Sequence, residues 1–138
     1  MSLLDEIKWI EFPSIEDSRG TLTAIEKYEQ IPFEINRIFY MHGITSDRGG
    51  HAHIDTHQVI TAVNGSFDIS FEDENNIKTF KLDDPKRGLY MPPLVFTSMK
   101  NFTVDAVALV IASTNYDIAK SLRTKSDYLE YIRRFEGK

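Results

Sequence analysis

The dipeptide Asn64-Gly65 stands between two short runs, VITAV (Val59–Val63) and FDISFE (Phe67–Glu72). Branched and aromatic side chains crowd both runs, and such residues suit the pleated, half-buried surface of a sheet. A type I′ turn needs positive φ at both central positions, which Asn-Gly supplies, so the pattern predicts a tight hairpin here. The same rhythm extends along the chain. Ile7–Phe12, Gly20–Lys27, Ile35–His42, Ile77–Leu82, Gly88–Met91 and Ala106–Ser113 are further short β-rich runs, most of them bounded by turn formers. Asn75-Asn76 turns the next hairpin. Pro92-Pro93 marks an edge or corner, because proline cannot donate to a strand ladder. Many short strands at close spacing predict an all-β sandwich or barrel. The tail alone reads as helix. In Ser126–Phe135, Tyr128, Ile132 and Phe135 fall on one face with Leu129 beside them, and Ser126 or Thr124 caps the start.

A chain of 138 residues is one domain's worth, and no linker, repeat or low-complexity segment divides residues 1–138. The net charge of -5 argues against a broad nucleic-acid surface, so an anionic ligand needs a local cluster of arginines. With no cysteine there is no disulfide, thiolate nucleophile or zinc–sulfur site, which fits a reducing compartment. No apolar run approaches a membrane span, and MSLLDEIKWIEF lacks the basic-then-apolar order of a signal peptide. The expectation is a cytoplasmic protein without a membrane or nucleic-acid partner.

The segment RGGHAHIDTHQ, Arg48–Gln58, holds three of the chain's four histidines. Alternate side chains of a strand share a face, so His51 and His53 point the same way. Gly49 and Gly50 permit a turn or a close backbone approach. The spacing resembles the first cupin motif: H-x-H, four residues, Glu, six residues, Gly. Here His51 and His53 are followed by Gln58, then Gly65, with glutamine in the glutamate's place. The second cupin motif falls on GLYMPPLVFTSMKN, where Gly88, Pro92 and Asn101 fit and Thr97 holds the histidine position. A divalent transition metal wants three or four imidazole or carboxylate ligands. The set His51, His53, Gln58 and Thr97 contains two poor ones, so no metal is expected. Two histidines on the inner face of a barrel are then free for acid–base work.

The landmarks DSRGTLTAIE (Asp17–Glu26), IPFEINRIFYM (Ile31–Met41), RGGHAH (Arg48–His53), HQVITAVNGS (His57–Ser66), GLYMPP (Gly88–Pro93) and VALVIASTNYD (Val107–Asp117) occur in order across nearly the whole chain. In these the chain resembles the dTDP-4-keto-6-deoxyglucose 3,4-ketoisomerases, a family of the cupin superfamily. The resemblance implies a cupin jelly roll with a short C-terminal helix, a homodimer that exchanges N-terminal strands, and no metal or other cofactor. It implies a dTDP-linked 4-keto-6-deoxy sugar as partner, on the route to 3-amino-3,6-dideoxy sugars of glycans such as O-antigen or S-layer. Family members often carry a histidine where this chain has Thr97.

The implied reaction moves a ketone from C4 to C3 through an enediol. His51 is the candidate acid/base at carbon and His53 the candidate for the proton on the sugar oxygens, an assignment that can be reversed. Arg19 and Arg48 are candidates for the pyrophosphate, because guanidinium binds phosphate oxygens bidentately. Tyr40 and Gln58 are candidates for the sugar. His42 and His57 read as solvent-facing or structural, and Phe39, Phe67, Phe71 and Phe102 as core or base-stacking residues. Three rivals stand beside this reading: a nucleotide-sugar 3,5-epimerase, a metal-dependent cupin dioxygenase or isomerase, and a non-catalytic cupin that binds a sugar nucleotide.

Overall fold

Ile60, Ala62 and Val110 come from one sheet, and Phe67, Ile69 and Phe71 from another; they bury against each other as the main core. Fully burying one such large side chain stabilises the fold by roughly 1.5–3 kcal/mol. In this computed structural model, which describes residues 2–27 and 29–136, both sheets are antiparallel and five-stranded. The first runs β1 (Lys8–Glu11), β9 (Arg87–Met91), β6 (Gln58–Asn64), β11 (Val107–Ala112), β4 (Arg37–Met41). The second runs β12 (Ser121–Leu122), β5 (Arg48–His53), β10 (Phe96–Lys100), β7 (Phe67–Glu72), β8 (Ile77–Leu82). This is the all-β sandwich expected from the strand spacing, and the jelly roll that the resemblance implies. Among the described residues, no helix is long and apolar enough to cross a membrane.

Asn64-Gly65 does not make a hairpin. β6 and β7 lie in different sheets, and the turn carries the chain from one to the other. Gly65 has φ +65, but Asn64 stays in β6 and is not among the positive-φ residues. The turn's partners explain the difference. Ser66 N donates to Thr103 Oγ1, Thr103 N donates to Ser66 O, and Asn64 Nδ2 donates to Asp105 O. These bonds tie the turn to the β10–β11 connection, so closely that a Cβ on Gly65 would sit 2.9 Å from Ala106 Cα. Asn75-Asn76 does turn a hairpin, β7 to β8, with both amides donating to Asp73 Oδ1. Pro92-Pro93 is a corner between β9 of the first sheet and β10 of the second.

The helix α1 (Lys125–Glu136) lies on the outer face of the second sheet, where Tyr128 and Ile132 bury against Ala52 and Phe96. Thr124 is its cap, accepting from Asp127 N. The apolar face is narrower than the spacing predicts: Phe135 is half exposed and stacks on Tyr131 instead. The Tyr128 hydroxyl lies 2.8 Å from Leu94 O and 3.1 Å from Glu72 O, and shares its proton between them. Leu94 has φ +66, and its N–H donates to His53 O at 2.8 Å. A non-glycine residue in that region costs about 1–3 kcal/mol, so its neighbours must hold it there.

A third element stands apart. Among the described residues β2 (Ser14–Asp17) and β3 (Gly20–Thr23) pair only with each other, leaving Ile15 69% and Leu22 62% exposed. On the first sheet's outer face, Phe12, Ile31 and Phe33 cover Val59, Tyr90 and Ile111. The edge strand β4 is not covered in this way, and Ile38 and Tyr40 stay exposed on it.

Candidate active site

β5 enters the second sheet with Gly49 at φ +91, and β10 approaches so near that a Cβ there would sit 2.7 Å from Thr97 O. At the same point the pairing register slips between Thr97 and Ser98. A bulge of this kind re-aims the side chains around it. His51 pairs opposite Thr97, and the His51 and His53 rings meet nearly edge to face, their centroids 4.9 Å apart. Both line a cavity of about 290 Å³. Gln58 and Thr97, both largely buried, form part of its wall, and Ile60, Ile69, Met91 and Met99 make it apolar.

The candidate residues divide in space. His51, His53, Arg48 and Gln58 line this one cavity, and Tyr40 borders it from β4, on the strand face opposite Phe39 and Met41. Arg48 and Tyr40 are its exposed members, with Arg48 Nε 3.0 Å from Met41 Sδ and Tyr40 stacked on His42. Arg19 does not join them within its own chain. It sits in the β2–β3 turn, largely in solvent, paired with Asp17 at 2.7 Å. His57 belongs to the structure rather than the cavity: its Nδ1 lies 2.7 Å from the Tyr90 hydroxyl and its ring packs near Phe33. Phe67 and Phe71 are core, Phe102 stacks on Phe67, and Phe39 alone of the four lines the cavity. Sequence reasoning missed Ser121, whose Oγ lies 3.4 Å from His53 Nδ1, and Arg37, whose charge is felt at His53. Neither carries a local motif; β12 brings Ser121 opposite His53 across the sheet.

Burial is the main reason both histidines hold their protons less tightly than usual. For His51, a hydrogen bond with the Gly49 backbone works the other way, while Arg123 and Arg48 add to the depression. For His53, burial, then the neighbouring His51 and Arg37, push the pKa down to about 4, with Asp55 opposing. His53 is therefore neutral at neutral pH, with a lone pair open to a proton but less basic than an ordinary imidazole. The same depression has a sign for stability. The unfolded chain binds this proton near pH 6.5, while the folded chain refuses it until about pH 4, so acid favours unfolding across that window. Urea melts are expected to show stability falling as pH drops through it, and His53→Gln to remove part of that slope.

The four cupin positions present two imidazoles, an amide and a hydroxyl. Among the described residues, no three His, Cys, Asp or Glu side chains gather to hold a metal ion. This donor set does not fit a divalent transition metal.

Residues 5–133 match the family model described as FdtA: WxcM-like, C-terminal. The chain belongs to this family. This FdtA/WxcM-like chain is 40% identical over 131 residues to TDP-4-oxo-6-deoxy-alpha-D-glucose-3,4-oxoisomerase from Aneurinibacillus thermoaerophilus, covering 94% of each. A histidine-to-asparagine mutant of the 3,4-ketoisomerase QdtA from Thermoanaerobacterium thermosaccharolyticum, in complex with TDP-4-keto-6-deoxyglucose, superimposes with a TM-score of 0.89. It shares 36% identity, over 94% of this chain and 95% of that one. A 3,4-ketoisomerase from Helicobacter canadensis gives a TM-score of 0.89 at 34% identity, over 93% and 98%. The FdtA/WxcM-like assignment thus spans both sheets and the helix, as the motif order implied.

Proposed function

We propose that this protein is a sugar-nucleotide 3,4-ketoisomerase acting on TDP-4-keto-6-deoxyglucose. The observation that carries the reading is the His51–His53 pair, partly buried and facing one cavity, in a chain 40% identical to a 3,4-oxoisomerase. His51 takes the proton from C3, and the electrons of that bond form the C3–C4 double bond of an enediolate. A proton is then delivered to C4 while His53 moves the hydroxyl proton from the C3 oxygen to the C4 oxygen. One C–H and one O–H proton change places and no electrons leave the sugar, so no redox cofactor is needed. Incubation with TDP-4-keto-6-deoxyglucose in D2O is expected to give, by NMR, a 3-ketone with deuterium at C4. A ketone still at C4 with inverted ring centres would instead identify a 3,5-epimerase. Binding without turnover would identify a non-catalytic cupin. In the same assay a chelator is expected to leave the rate unchanged, since Gln58 and Thr97 replace ligand-type residues.

In this reading Arg48, at the cavity's exposed rim, binds the pyrophosphate, and Tyr40 and Gln58 contact the sugar. Arg48→Ala is expected to weaken TDP binding by about 2 kcal/mol, roughly 30-fold, as a lost charge-assisted contact does. Unchanged affinity in calorimetry removes Arg48 from the site.

The protein works as a homodimer whose N-terminal strands are exchanged. The support is the self-paired β2–β3 hairpin with Ile15 and Leu22 in solvent, together with the β4 edge, which bears Ile38 and Tyr40 and among the described residues is paired on one side alone. Exchange would pair that edge and carry Arg19 toward the partner's cavity. Light scattering that reports a monomer at micromolar concentration would end this part of the reading. The 3-keto product then serves the synthesis of 3-amino-3,6-dideoxy sugars of O-antigen or S-layer glycans, in the cytoplasm.

A further inference from the structure

A second chamber, of about 300 Å³, shares His53 with the first and is lined also by Arg37, Asp55, Asn115, Tyr116 and Lys120. Arg37 opens β4, where it pairs opposite Ala112. Its guanidinium carbon lies 5.1 Å from the centroid of the Phe39 ring and 5.6 Å from that of Tyr116. Two aromatic rings thus lie within cation–π distance of the guanidinium. The Nε–H is buried and has no hydrogen-bond partner among the described residues. Asp55 and Asp117 line the same chamber, yet among the described residues Arg37 forms no ion pair. A guanidinium N–H removed from water without an acceptor is rare, because its lost hydration is uncompensated.

We propose that Arg37 is a catalytic residue, donating to the anionic oxygen of the enediolate beside His53. The inference rests on the 3,4-ketoisomerase reading, which requires an oxygen to become anionic during turnover and to lose that charge at the end. Arg37 shares its chamber with His53, the histidine assigned to the sugar oxygens, whereas Arg48 is at the exposed rim of the first cavity. The charge of Arg37 also helps to keep His53 unprotonated, which leaves the imidazole free to accept. A preorganised donor of this kind acts where charge develops, so its effect belongs to the transition state rather than to substrate binding.

The test compares wild type, Arg37→Lys and Arg37→Met on TDP-4-keto-6-deoxyglucose, with TDP affinity measured separately. Arg37→Met keeps an unbranched chain between the two rings and removes the charge. It is expected to lower kcat by about 10²–10³-fold, the usual loss for one oxyanion donor, with KM and TDP affinity within about twofold. Exchange of the C3 proton in D2O is expected to slow by a similar factor, because that step creates the enediolate. Arg37→Lys keeps a charge but cannot present Nε, and is expected to lose at least about tenfold in kcat. A lysine variant with wild-type kcat overturns the proposal, even if the methionine variant fails to fold. A fall in TDP affinity at unchanged kcat also overturns it and moves Arg37 to the pyrophosphate. If wild type itself leaves the ketone at C4, the 3,4-ketoisomerase reading fails and takes this one with it. If wild type isomerises and the variants keep pace, the assignment of Arg37 alone fails.

Discussion

His51→Asn and His53→Asn are each expected to slow isomerisation at least about a hundredfold, at the low end of what a general acid–base group contributes. Asparagine keeps a polar side chain of similar size, so the cavity changes little. What disappears is the titratable nitrogen. The loss falls on kcat, because the base acts in the transition state and adds little to ground-state binding. TDP binding stays, since Arg48 is untouched. Exchange at C3 in D2O separates the two histidines. If His51 is the carbon base, His51→Asn abolishes exchange, while His53→Asn still exchanges C3 slowly and fails to complete the transfer between oxygens. A His51→Asn variant that exchanges at the wild-type rate would place the carbon base on His53 or Tyr40.

Gly49→Ala is expected to cost about 3 kcal/mol of stability, from positive φ together with overpacking. At φ +91 any side chain is strained, and here the new Cβ would also meet Thr97 O at 2.7 Å and Ser98 Cα at 3.0 Å. These are backbone atoms of a paired strand and cannot swing aside. Gly50 is the control one residue on. Its φ is +77, yet nothing lies within 4 Å of a Cβ built there, so Gly50→Ala carries the conformational cost alone, about 1 kcal/mol. Urea denaturation of both variants checks the difference. Equal costs would mean that β5 and β10 do not approach as closely as described. Activity is expected to fall with Gly49→Ala beyond what unfolding explains, because forcing the strands apart moves His51 off the cavity.

What was legible in the sequence follows from how local each signal is. The alternation of β6, β7, β8 and β11 is written in consecutive residues, and their placement held to within a residue or two. Asn64-Gly65 shows the boundary of such reading. Local chemistry announced a turn but could not say which strand the chain meets next, and the deciding bonds run to Thr103 and Asp105. β10 escaped strand assignment because FTSMK alternates weakly; its identity comes from the partners on either side, β5 and β7. Within the site, motif spacing alone groups His51, His53, Gln58 and Thr97, and they line one cavity from both sheets. Arg37 was silent because INRIFYM reads as an ordinary strand start. Its meaning depends on Tyr116, which reaches it only once β11 has returned alongside β4.

At Leu94 heat resistance and turnover are expected to pull against each other. Its left-handed backbone joins the helix to β5: Tyr128 grips its carbonyl, and its amide grips that of His53. Glycine at this position would relieve the backbone and raise the melting temperature if nothing else changed. It would also let the linkage drift, and the imidazole at its far end with it. A selection for survival after heating would therefore favour Leu94→Gly, and a selection for product would restore leucine.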